Sequence, residues 1–203
     1  MHEDFIRTIS ARIAEAERGE GSDPRHTNIV FVIGDEYYAI PILPVREVMR
    51  TPQLTPVPTA PPYIQGVFVH KGKVIPVIDT VKRFHGELTS PRLPPHLLVL
   101  EHKGLAYGFL VDRVVGAMDV PNTLLQDTSH DFPHYLDKDY ILGRFSLSVR
   151  EKREGFQYDF FIASPKTKDL LAEEAHPVLQ EKSVIALDVI KMVGVLERDV
   201  AMV

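Results

Sequence analysis

The chain repeats itself. Tyr38-Ala39-Ile40-Pro41-Ile42, followed by Val45 and Met49, matches Tyr107-Gly108-Phe109-Leu110-Val111, followed by Val114 and Met118, 69 positions later. Tyr63-Ile64-Gln65-Gly66 matches Tyr140-Ile141-Leu142-Gly143 at an offset of 77, and Ile75-Pro76-Val77-Ile78-Asp79 matches Val184-Ile185-Ala186-Leu187-Asp188 at 109. Short apolar strings recur by chance in β proteins, but three matches in one order argue for a duplicated architecture. The jump from 77 to 109 leaves 32 extra residues between Gly143 and Val184. They include the charged turn Arg150-Glu151-Lys152-Arg153-Glu154-Gly155 and a helical-looking stretch over 166–175. We read them as an insertion in the second half, within about 147–182.

The repeated strings sit in short β-branched and aromatic runs separated by turn dipeptides, which predicts strands rather than helices. Strands are expected over 28–33, 37–42, 64–70, 73–79, 96–101, 105–111, 114–120, 141–149, 156–163 and 183–187, with hairpin turns at Gly34-Asp35, Lys71-Gly72 and Lys103-Gly104. Strands at this spacing imply compact all-β barrels or sandwiches. Residues 51–62, rich in proline, cannot form a central strand because proline fixes φ and lacks an N–H donor. This segment reads as a rigid strap crossing a barrel, the alternative being a polyproline ligand. Ahead of the strands, Phe5, Ile9 and Ile13, with Ile6 and Ala16 alongside, recur at helical spacing before Gly19, Gly21 and Pro24 break the pattern. Residues 1–27 therefore read as an amphipathic helix on a leash, and 28–203 as the domain. Such a helix ordinarily packs on the domain that follows; its other fate is to bind a partner.

Composition removes most other classes of function. A chain of 203 residues buries roughly 70% of its unfolded surface. The absence of cysteine excludes disulfides, thiolate metal sites and a cysteine nucleophile. No apolar run has the length of a membrane span, and the first twenty residues lack the hydrophobic stretch of a secretory signal, so a cytoplasmic protein without direct membrane insertion is expected. A net charge of −5 offers nucleic acid no basic stripe. Nine histidines invite a metal hypothesis, and Ser129-His130-Asp131-Phe132-Pro133-His134 places two of them four apart. Pro133 disfavours the continuous helix that would bring both imidazoles to one face. Neither a glycine-rich phosphate loop nor a Gly-x-Ser-x-Gly elbow is present. We expect no enzyme activity, no catalytic residue, no cofactor and no metal.

Several strings, in combination and in order, resemble the CheW-like family. They are Tyr38-Ala39-Ile40-Pro41-Ile42 with Val45-Arg46-Glu47-Val48, then Thr55-Pro56-Val57-Pro58, then Tyr63-Ile64-Gln65-Gly66-Val67. They continue through Lys71-Gly72-Lys73-Val74-Ile75-Pro76-Val77-Ile78-Asp79 and Gly108-Phe109-Leu110-Val111-Asp112-Arg113-Val114. The resemblance covers 28–127 almost without gaps and returns at 140–145 and 184–193. It implies a mainly all-β fold of two linked, intertwined five-stranded SH3-like barrels with short helices and, here, an N-terminal helix. It implies an adaptor that binds the cytoplasmic tip of methyl-accepting chemoreceptors and the regulatory domain of a CheA-type histidine kinase, recruited to membrane receptor arrays. The alternative is a regulatory or dimerising module of a non-flagellar pathway that no longer couples a kinase.

By the same resemblance the receptor and kinase interface involves Val45 as an apolar contact, Glu47 as an acceptor and Lys71 as a positive charge at a hairpin tip. Taken alone, Val45 to Val48 is an ordinary half-buried segment, and a lysine before glycine in a tight turn is simply well solvated. Lys71 stands where the family usually has arginine, and lysine cannot reproduce the planar bidentate fork. Gly66 and Gly72 are assigned to backbone geometry, and Asp79 to capping a short helix over 80–84.

Overall fold

The structure, a computed structural model, describes residues 2–21, 23–85, 94–126, 132–133, 135–152, 157–162 and 180–193. After helix α1 (His2–Arg18) come β1 (Thr27–Ile33), β2 (Glu36–Pro41), β3 (Val45–Arg50), β4 (Ile64–His70) and β5 (Lys73–Asp79), then helix α2 (Thr80–His85). A second series follows: β6 (His96–His102), β7 (Leu105–Val111), β8 (Arg113–Asp119), β9 (Ile141–Lys152), β10 (Gln157–Ile162) and β11 (Gln180–Leu187), with a helical turn over 189–193. No helix among the described residues is long and apolar enough to cross a membrane.

The strands form two sheets, in the orders β10-β9-β11-β2-β1-β8 and β3-β6-β7-β5-β4. Read in parallel, the sheets share one plan. The pairing of Ile29 with Ile40 recurs as Leu98 with Phe109, and Phe68 with Ile75 recurs as Phe145 with Val184. A bulge after Val45 in β3 recurs after Val114 in β8. Asp79 accepts a hydrogen bond from the Lys82 amide at 3.1 Å, and Asp188 accepts one from the Lys191 amide at 3.1 Å, so each repeat ends in a carboxylate-capped helical turn. Each sheet nevertheless mixes the two repeats, because β1 and β2 join β8, β9 and β11, whereas β6 and β7 join β3, β4 and β5. The repeats have exchanged hairpins.

Backbone bridges close both sheets into barrels. Thr55, in the proline-rich strap, exchanges two hydrogen bonds of 2.8 Å with Val67 of β4, and Gln126 exchanges bonds of 2.8 and 3.0 Å with Arg144 of β9. The crossing explains Gly66, whose φ is 152° and whose added Cβ would lie 2.7 Å from the Thr55 carbonyl oxygen. Where the first repeat turns tightly at Lys71 and Gly72, β9 and β11 run further, and β10 pairs with Leu147 to Lys152 as a sixth strand on the first sheet. The residues of the helical-looking stretch over 166–175 lie outside those described, as do Ser129, His130, Asp131 and His134.

Alternation along each strand divides the apolar residues into three cores. Val30, Val32, Phe145, Leu147 and Val184 fill the first barrel, while Phe68, Ile75, Val77, Leu97 and Val99 fill the second. A larger cluster lies between them, holding Ile29, Tyr38, Ile40, Val45, Val48, Ile78, Phe109 and Ile185 together with Ile9 and Ile13 of α1. The N-terminal helix thus packs on the domain, against β3 and β8.

Candidate functional site

Glu47 lies just after the bulge in β3, at the edge of the second sheet, paired with Val99 of the barrel interior. The opposite edge is β4, where Phe68 points inward and His70, two residues on, shares its face at the barrel mouth. The strap holds these edges together at Thr55; beyond it the seam is spanned by side chains. Lys71 Nζ donates to Glu47 Oε2 at 2.7 Å, and His70 Nε2 lies 2.9 Å from the same oxygen. On the facing side of the mouth, Lys73 Nζ donates to Glu101 Oε2 at 3.3 Å.

Partial burial works to raise the Glu47 pKa, but the hydrogen bonds and positive charge supplied by Lys71 and His70 outweigh it, and the net shift is downward. Glu47 is therefore a carboxylate at neutral pH. Lys71 adopts φ 48° and Gly72 φ 76°, the paired positive angles of a type I′ hairpin, so the turn throws the lysine out at the tip. Its side chain is 74% exposed, against 30% for Glu47.

Of the three residues expected at an interface, the structure brings Glu47 and Lys71 into direct contact. Val45 is fully enclosed, opposite Leu100, and presents no side-chain surface in the free protein. His70, Lys73 and Glu101 were not among the expected site residues. A signal for His70 was available in the duplication: its counterpart is Leu147, buried in the first barrel, while the counterparts of Glu47 and Lys71 are Gly116 and Ser148. At these three positions the first barrel carries no charged side chain, so the fold does not require the Glu47, His70 and Lys71 cluster. Among the described residues no group of three histidines or carboxylates could hold a metal ion.

Exposed apolar residues flank this mouth. Val69 and Val74 face each other across the β4-β5 hairpin at 72% and 65% exposure, and Leu105, at the start of neighbouring β7, is 51% exposed. An apolar strip rimmed by Lys71, Lys73 and Glu101 is a surface suited to association rather than chemistry.

Comparison with known proteins gives consistent matches. The family profile described as the CheW-like domain matches residues 28–148. A chemotaxis protein CheW from Helicobacter pylori is 37% identical over 121 residues, covering 58% of this chain and 73% of that protein. Protein FrzA of Myxococcus xanthus is 34% identical over 100 residues, covering 48% of this chain and 61% of its own. In fold, the chain resembles the crystal structure of a scaffolding protein, TtCheW, from Thermoanaerobacter tengcongensis. The TM-score is 0.56 at 20% identity, over 81% of this chain and 89% of that one.

Proposed function

The chain belongs to the CheW-like domain family, and from that membership we propose that it is a non-enzymatic adaptor joining chemoreceptors to a CheA-type histidine kinase. It works in the cytoplasm, at the cytoplasmic tips of membrane receptors, and binds the regulatory domain of the kinase. The observation that carries this reading is the charged mouth of the second barrel. Glu47, His70 and Lys71 are held by a bulge and a strained turn, yet the other barrel builds the same seam from Gly116, Leu147 and Ser148. Groups that one copy of a fold carries and the other does without are free to serve recognition.

In this reading the receptor's helical hairpin meets β3 and the Lys71 turn, with Glu47 and Lys71 as polar contacts and Val45 as the buried support beneath them. The exposed strip of Val69, Val74 and Leu105 supplies apolar area beside them. Interferometry with an immobilised chemoreceptor hairpin fragment, and separately with a kinase regulatory domain from the same source, tests the assignment. Saturable micromolar binding to both is expected. Binding to neither would leave a CheW-like fold with a different role, and the sixth strand β10 would then direct attention to a regulatory or dimerising module.

A further inference from the structure

The inward face of the second barrel ends in polar groups. Glu47 of β3, His70 of β4, Lys73 of β5 and Glu101 of β6 share that face at the mouth, with Ala106 of β7 opposite Glu101. His70 Nε2 lies 2.9 Å from Glu47 Oε2, and Lys71 Nζ reaches the same oxygen at 2.7 Å. The two hold it differently. Lys71 comes from an exposed turn on a flexible stem, whereas the His70 side chain is 21% exposed and its ring packs beside Phe68, centroids 5.8 Å apart. With Oε2 taken twice, Oε1 accepts no hydrogen bond among the described residues and is not enclosed. We propose that His70 is the positioning residue of this site: it holds Glu47 by Oε2 so that Oε1 meets a cationic donor of the receptor, and its own protonation weakens that contact.

The charges around the mouth set the sign. Glu47 is ionised and can only accept, so Nε2 of a neutral His70 must carry the proton and donate it to Oε2. In that state Glu47 is balanced by Lys71 and Glu101 by Lys73, and the mouth has no net charge. Protonation leaves the His70 hydrogen bond in place and adds one positive charge beside the carboxylate. His102, next along β6, pairs with Leu105 and alternates to the outer face, so it adds nothing to the mouth. A receptor cation approaching Oε1 therefore meets a neutral site when the imidazole is neutral and a repulsive one when it is charged. Imidazole is the side chain that ordinarily makes this change between pH 5 and 8. At a partly exposed site one added charge is worth about three- to tenfold in Kd. The first barrel has Leu147 at the equivalent place, so the fold accepts an apolar residue there.

The inference rests on the receptor reading above, and its test separates the two. Affinity for an immobilised chemoreceptor hairpin fragment is measured by interferometry from pH 8 to pH 6 for the full-length wild type, His70→Gln and His70→Leu, with circular dichroism confirming each fold. Glutamine keeps a neutral N–H donor and leucine keeps none. Between pH 8 and pH 6 the wild type should lose about three- to tenfold more affinity than either variant, since groups titrating on the fragment act on all three chains alike. At pH 8 His70→Gln should bind within about twofold of the wild type and His70→Leu about fivefold more weakly, the effect of one lost hydrogen bond. A wild-type pH profile that matches the variants overturns the inference and leaves the adaptor reading standing. So does affinity that rises as the pH falls, which would make the partner's group an anion at Lys71. Equal binding of His70→Leu and the wild type at pH 8 would remove the positioning role. If His70→Leu does not fold, the pH profile of His70→Gln decides alone. Failure of the fragment to bind the wild type at any pH overturns the receptor reading and the inference together.

Discussion

Replacing Glu47 with glutamine keeps the shape of the side chain and removes the charge that Lys71 and His70 share. Lys71 is three-quarters exposed and Glu47 nearly a third, so the pair is screened by water and contributes about 0.2–1 kcal/mol to folding. In a domain of this size 1 kcal/mol corresponds to roughly 2–4 °C in Tm, so Glu47→Gln should melt no more than about 4 °C below the wild type. The sign of the pH dependence follows from the downward shift of its pKa. A depressed carboxylate stabilises the fold above its unfolded pKa, near the ordinary 4.5, and the contribution fades as pH falls through the lower folded value. The stability gap between wild type and variant should therefore be full at pH 7 and shrink below about pH 4.5. Receptor binding should respond far more. Loss of one central polar contact costs about 2 kcal/mol or more, roughly thirtyfold in Kd. Calorimetric melting and interferometry on the same preparation read both quantities. A Tm fall beyond about 8 °C with a parallel loss of affinity would make Glu47 a structural clamp of the barrel seam, and unchanged affinity would remove it from the interface.

Ile40, with no exposed surface in the central cluster, should cost about 2–4 kcal/mol when cut to alanine; a urea midpoint that barely moves would contradict the strand register. Gly34→Ala meets only the left-handed backbone, since nothing lies within 4 Å of its added Cβ, and should cost about 1–2 kcal/mol. Gly66→Ala must also push against the Thr55 carbonyl, so in paired denaturation curves it should cost at least about 1 kcal/mol more; equal costs would refute the strap's role in closing the barrel. Lys71→Gly relieves a positive φ while removing an exposed ion pair, so stability should stay within about 1 kcal/mol while receptor affinity falls; a large loss of stability would mean that the turn depends on the lysine.

Most strands and the duplication were legible because β structure leaves local marks: apolar alternation, and Lys-Gly or Gly-Asp pairs at the turns. The strap was legible for the same local reason, since proline cannot donate to a sheet. β3 was missed as a strand because Leu43-Pro44 is an unusual link and Arg46 interrupts the alternation by bulging. Its offset match to Val114 and Met118, in a segment read as a strand, carried the missing information. The particular exchange of hairpins between repeats had no local mark, because self-similarity identifies equivalent strands without saying which copy they pair with. The site was legible only in part. The spacing of Glu47 and Lys71, 24 residues apart, says nothing of their contact, which depends on two edge strands meeting around a closed barrel. Val45 entered the expected site only through the family resemblance, its own segment reading as half-buried, and the bulge places it in the core.

Coupling itself is the claim most open to direct measurement. A chemoreceptor hairpin fragment is immobilised, and capture of the regulatory domain of a CheA-type kinase is followed by interferometry with and without this chain. The adaptor account predicts little capture of the kinase domain alone, strong capture when the chain is added, and a marked reduction with Glu47→Gln. Capture that is indifferent to the chain, or a chain that binds one partner only by excluding the other, would contradict it.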